Sequence, residues 1–188
     1  MLPLVQTAEL ASFGRLQHRS TKTVRLFDWI AGDVLEEYRY SEVLMTSIHQ
    51  LLENKGSEVW LTSPDASVYE ALQLLAEKNI GALLVLQDGE LIGVVSERDY
   101  ARKVALHGKT SMKTPVREIM TDIVVTVGPE NTVEEAMAIM TDKHIRHLPV
   151  LEGDKIVGVV SIGDLVKAII ADQEFTINQL ENYISGSR

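Results

Sequence analysis

Apolar and polar positions alternate in two rhythms along this chain, and the two rhythms recur in the same order twice. In the first pass a short apolar stretch, VWLTS from Val59, predicts a strand, and the polar turn SPDAS follows it. Ser67 is placed to cap a helix whose apolar residues, Val68, Ala71, Leu72 and Leu75, fall at helical spacing. ALLVL and LIGVVS then read as two strands joined by the turn QDGE, and DYARKVAL reads as a closing helix. In the second pass the same elements are IVVTV, GPENT with Thr132 as cap, a helix carrying Val133, Ala136, Met137 and Met140, then HLPVL, EGDK, IVGVVS and DLVKAIIADQ.

Sliding Val59 onto Val124 superimposes the chain on itself without a gap. Pro64 then meets Pro129, Glu70-Ala71 meets Glu135-Ala136, Ile80 meets Ile145, and Gly93-Val94-Val95-Ser96 meets Gly158-Val159-Val160-Ser161. Asp99 meets Asp164. An ungapped match of this length predicts a duplicated β-α-β-β-α unit, of mixed α/β class. Neither copy is large enough to bury much core alone, so the two are expected to pack through their sheets with pseudo-twofold symmetry. The expected organisation is an N-terminal extension over 1–44, a first unit over 45–106, a polar linker over 107–116, a second unit over 117–172 and a tail over 173–188. SIHQLL at 47–52 and VREIM at 116–120 share a pattern and read as a lead-in to each unit. Met45 begins the cleaner amphipathic pattern, so it could be the natural start. The extension reads as helix or irregular chain.

Composition changes this picture little. The chain has 188 residues and a formal net charge of −9, which argues against a nucleic-acid or anionic-membrane surface. It has no cysteine, which removes disulfides, thiolate metal sites and a cysteine nucleophile. No apolar run approaches the roughly 18–20 residues that span a bilayer. Residues 12–25 are basic and free of acids, somewhat like an organellar transit segment, but the acidic DWIAGDVLEEYRYSE that follows does not fit one. The cytoplasm is the expected location, with an organelle as the alternative. His144, His147 and Asp142 lie close together but lack a third strong ligand, and no metal site is expected. No catalytic set or nucleotide-binding fingerprint appears, so the chain is not expected to be an enzyme.

The repeated joint, Ser-x-x-Asp between a strand and a helix, has two readings. It fits a capping box, in which Ser96 or Ser161 accepts from the helix backbone and Asp99 or Asp164 reaches back. The same geometry also suits a nucleotide. Unpaired N–H groups and a Ser hydroxyl at a helix N-terminus attract phosphate, and a carboxylate accepts from both hydroxyls of a ribose.

VVSERDYARKV, LLENKGSEVWLTSPDASVYEAL, VREIMT and IRHLPV together resemble a tandem pair of CBS domains, also called a Bateman module. Among these the chain is most similar to the small stand-alone CBS-pair proteins of bacteria and plant organelles, over about 47–172. The resemblance implies two clefts between the repeats and a non-catalytic sensor of adenine nucleotides: AMP first, with ADP, ATP or NAD(H) also possible. It implies no required cofactor, a homodimeric disc of two pairs and an unidentified regulated partner. A ligand-independent dimerisation or interaction module is the alternative.

Carried over by resemblance, Asp99 and Asp164 hold ribose, while Ser96, Arg98, Ser161, Arg146 and His147 hold phosphate. Arg98, with Arg146 or His147, is assigned to the Asp99 cleft, which would then favour more phosphate. Gly81 and Gly163 leave room in the Asp164 cleft. The adenine slot falls to Lys55, Val59, Trp60, Ile80 and Gly81 in the Asp164 cleft and to Met120, Ile123, Val124, Val125 and Ile145 in the Asp99 cleft. Trp60 could equally be core.

Overall fold

The computed structural model describes residues 23–25 and 46–186. Strand β1 (Thr23–Arg25) is followed by helix α1 (Ile48–Lys55). The first repeat is β2 (Leu61–Thr62), α2 (Val68–Lys78), β3 (Ala82–Gln87), β4 (Glu90–Ser96) and α3 (Glu97–Lys103). The second is β5 (Val124–Thr126), α4 (Val133–Asp142), β6 (His147–Glu152), β7 (Lys155–Ser161) and α5 (Ile162–Ser185). Each repeat has the β-α-β-β-α order that the hydrophobic pattern predicts.

The two central hairpins match in detail. β3 and β4 pair antiparallel with Ala82 opposite Ser96, and β6 and β7 pair antiparallel with His147 opposite Ser161. Both carry a register shift at the same repeat position, between Val85 and Leu86 and between Val150 and Leu151. The turns differ. Asp88 and Gly89 both take positive φ, as a type I′ hairpin requires, whereas in the second turn Gly153 does so first. Each repeat's first helix ends on a left-handed residue at equivalent positions, Asn79 and His144.

The core explains why the duplication holds together. One apolar cluster joins Val68, Ala71, Leu75, Leu83, Val85 and Val95 of the first repeat to Val116 and Ile119. A second joins Val133, Ala136, Met140, Leu148, Val150 and Val160 to Ile48, Leu51 and Leu52 of α1. The lead-ins are therefore exchanged: α1 completes the core of the second repeat, and the chain just before β5 completes the core of the first. Backbone hydrogen bonds pin both crossings. Ile48 donates to the Asn131 carbonyl and Val133 to that of Thr46; Val116 donates to Ala66 and Val68 to Thr114. A third cluster, Leu84, Leu91, Val124 and Leu151, lies where the sheets meet.

Several expectations need correcting. The lead-ins share an apolar pattern but not a conformation, since Val116–Glu118 makes only one 3₁₀ turn against the eight-residue α1. The polar segment 107–116 is tied down: Thr114 is buried, and Tyr69 donates to the Ser111 carbonyl. The closing helix of the second repeat does not stop near the repeat's end but runs on to Ser185, through most of the presumed tail. Within the extension, Thr23–Arg25 is a strand, paired parallel with β5 in the register Thr23 to Val124. The rest of 1–45, including the transit-like stretch up to Lys22, lies outside the described residues.

Candidate functional site

Both joints fold as complete capping boxes. At the first, the backbone N–H and hydroxyl of Ser96 donate to Asp99 Oδ2 at 3.0 and 2.6 Å, and the Asp99 N–H donates to Ser96 Oγ at 3.4 Å. At the second, the corresponding distances for Ser161 and Asp164 are 2.8, 2.8 and 3.2 Å. The same device starts α1, α2 and α4, through Ser47 with Gln50, Ser67 with Glu70 and Thr132 with Glu135. The box thus explains the Ser-x-x-Asp spacing by local helix chemistry alone.

The glycine of the repeated Gly-Val-Val-Ser has a separate cause. A Cβ on Gly158 would meet Leu52 Cδ2 at 2.7 Å, and one on Gly93 would meet Met120 Sδ at 2.6 Å. Each glycine opens its strand to the exchanged lead-in, so the motif joins a packing requirement to a cap.

What surrounds the two carboxylates differs. Asp99 Oδ1 is paired with Lys103 Nζ at 2.9 Å, one helical turn along α3, and that ammonium also donates to the Ile119 carbonyl. Asp164 is paired with Lys55 Nζ at 2.7 Å, from the end of α1. All of these bonds to Asp164 converge on Oδ2. Burial alone would raise the Asp164 carboxyl, but hydrogen bonds from Lys55 and Ser161 outweigh it and hold the group below its ordinary range.

Cations gather at the second joint. Ile162 donates its N–H to the Arg146 carbonyl, which fixes Arg146 and His147 beside Ser161. Their backbone is therefore fixed beside the Asp164 joint, while the His147 imidazole lies against Gly81, whose carbonyl accepts from Glu97 N–H at the first joint. Arg98 reaches across from the first joint and donates to the His144 carbonyl at 3.0 Å. His147 is pushed down to about 4, first by burial and then by Arg146, with smaller contributions from Lys55 and Arg98 that Asp164 partly opposes. At neutral pH it is an uncharged donor and acceptor, not a phosphate-binding cation. Its imidazole also fills the space beside Gly81, where a Cβ would sit 3.0 Å from Nε2. Gly163 remains open, with Ser161 Oγ as the nearest group at 3.7 Å.

The residues assigned to adenine are less united. Val124 is buried in the cluster between the sheets and cannot line an open slot, while Val59 packs beside it half-buried. Trp60 packs on the first core with the Lys78 ammonium 4.5 Å over its ring, so the ring face is already engaged. Ile80 and Met120 join the first core, and Val125 and Ile145 the second, all partly buried; Ile123 is exposed. Lys55 belongs with the Asp164 carboxylate. Sequence reasoning missed Lys103, although its i+4 spacing from Asp99 was a readable signal.

The family model of the CBS domain matches twice, over residues 57–106 and 116–171. The mitochondrial CBS domain-containing protein CBSX3 of Arabidopsis thaliana is 40% identical over 151 residues, covering 75% of this chain and 73% of the plant protein. A CBS-domain protein of Burkholderia ambifaria is 49% identical with a TM-score of 0.67, covering 68% of this chain and 96% of its own. The CBS pair of protein MJ0100, solved with 5′-methylthioadenosine and S-adenosyl-L-methionine, shares the fold at 24% identity and a TM-score of 0.60, covering 68% of this chain and 98% of its own. Two exchanged repeats, matched in order and in their joints, make this chain a member of the CBS-domain family in its tandem, regulatory form.

Proposed function

We propose that the chain is a non-catalytic sensor that binds an adenine nucleotide, AMP first, at the joint of Ser161 and Asp164. One observation carries this reading. A part-buried, ionised carboxylate, with its hydrogen bonds gathered on Oδ2, sits at a helix start with Lys55 and the neutral His147, which lies in turn in the field of Arg146 and Arg98. A carboxylate can take a ribose diol, while helix N–H groups and nearby cations can take a phosphate. Neutral His147 adds a hydrogen-bonding group without a second buried charge. The adenosyl ligands of MJ0100 are consistent with this chemistry, but at that identity they speak for the fold. The Asp99 joint is proposed as a second, weaker site, because Lys103 of its own helix already occupies the other carboxylate oxygen.

Binding is expected to raise the melting temperature by mass action. Millimolar AMP, ATP, NADH and S-adenosylmethionine should be compared on the wild type and on Asp164→Ala and Asp99→Ala. The reading predicts a shift for at least AMP that Asp164→Ala removes. No shift with any of the four would sink it.

A second reading, a ligand-independent interaction or dimerisation module, is favoured by one observation. The capping boxes are complete without a ligand and recur at helices that have no joint. It predicts that both Asp→Ala variants lose only cap stability.

A further inference from the structure

The long α5 leaves the body part-way along its length. Leu165, Ala168 and Ile169 pack on the second core, and Asp172 accepts from the Thr46 hydroxyl. From Gln173 to Ser185 the residues whose burial is described are, without exception, exposed. Over the whole helix a separate stripe runs beside the core-facing one: Val166, Ile170, Gln173, Ile177, Leu180 and Ile184. Its spacing alternates four and three, which is the heptad seam of a coiled coil. Isoleucine holds every a position, and Val, Gln and Leu hold d. The apolar members are all exposed, from 43% at Val166 to 76% at Ile184. The exposed overhang from Gln173 to Ser185 is short enough to be marginal in water without packing, so an exposed heptad stripe gains most from a second helix.

The flanking charges select the partner and its direction. The e positions are Lys167, Glu174 and Glu181. In a parallel pair they would face Ile169, Thr176 and Tyr183, which offer no opposite charge. In an antiparallel pair e meets e across one edge of the seam. Lys167 of each copy then lies beside Glu181 of the other, twice over by symmetry, against a single like-charge meeting of Glu174 with its own counterpart at the centre. The same alignment stacks Ile170 on Leu180 and Val166 on Ile184. Gln173 meets Ile177 near the centre, where a polar residue fixes register at some cost in stability.

We infer that α5 is an assembly helix, pairing antiparallel with α5 of a second copy of this chain through the seam from Val166 to Ile184. This surface is separate from both joints and does not depend on nucleotide binding.

The natural absence of cysteine makes the test clean. In the full chain, Ile177→Asp with Leu180→Asp should lower the solution mass measured by light scattering. Circular dichroism of the same variant checks that the body remains folded. The double variant Val166→Cys with Ile184→Cys should form intermolecular disulfides under mild oxidation, while Ile184→Cys alone should not. Efficient cross-linking of Ile184→Cys alone would mean a parallel pair and overturns the proposal. An unchanged mass in the charged variant overturns it too, including the case in which residues 1–44 of the same chain cover the seam.

Discussion

The two joints share a motif but not a situation. At the first, Asp99 is satisfied within its own neighbourhood, by Ser96 and by Lys103 on the same helix. At the second, Asp164 is held by Lys55, which lies far away in sequence on an element lent by the other half of the chain. A local ion pair reports little beyond its own helix. A crossed one ties the state of the carboxylate to the position of α1, and so to the core that α1 completes. Identical caps can thus be wired to different parts of a molecule by a single cation in each neighbourhood.

The largest expected break in this parallel lies at the glycines. Gly158→Ala forces a methyl against the Leu52 side chain alone, while Gly93→Ala meets the Met120 thioether and also the backbone carbonyl of Thr121, which is pinned to Val94. Overpacking costs about 1–3 kcal/mol. Denaturant unfolding should place Gly93→Ala at the upper end of that range and Gly158→Ala lower within it. Equal losses would mean that the lead-ins press on both strands alike.

The next difference is in pH. His147 has Ala82 as its counterpart in the first repeat, and its folded value of about 4 lies below the ordinary 6.5. Between these values the unfolded chain binds more protons than the folded one, so stability falls as pH drops from about 6.5 to about 4. Because the imidazole keeps some exposure, the loss should be of order 2 kcal/mol. His147→Asn, which does not titrate, should flatten unfolding curves measured across that window; an unchanged slope would place the acid sensitivity elsewhere.

The smallest effect is one on which the joints should agree. Ser96→Ala and Ser161→Ala each remove one capping hydroxyl and should cost about 1 kcal/mol. A much larger loss at either would show that its serine does more than cap.

Much of this was legible beforehand because it is periodic or local. The repeat, its strands and the caps at Ser67 and Thr132 follow from short-range spacing. The exchange of lead-ins was not legible, because similar apolar patterns at 47–52 and 116–120 say that each segment needs a core but not whose. Only the family resemblance puts Lys55 in the Asp164 cleft, and its pairing with that carboxylate depends on the exchange. The placement of Arg146 and His147 was hidden for a similar reason. Sequence shows that they precede a strand, while only the Ile162 to Arg146 hydrogen bond shows which helix start they support. Trp60 shows the limit of residue type as evidence, since a ring able to stack on a base is already packed and covered by Lys78.

The exchanged lead-ins also bear on how such a chain can arise. A single repeat carrying its own lead-in has a gap in its core and an apolar segment with nowhere to go. Two such copies, each lending its segment to the other, mend both faults at once. The internal symmetry of this chain then reads as a former twofold axis between separate molecules, made permanent when duplication joined their ends.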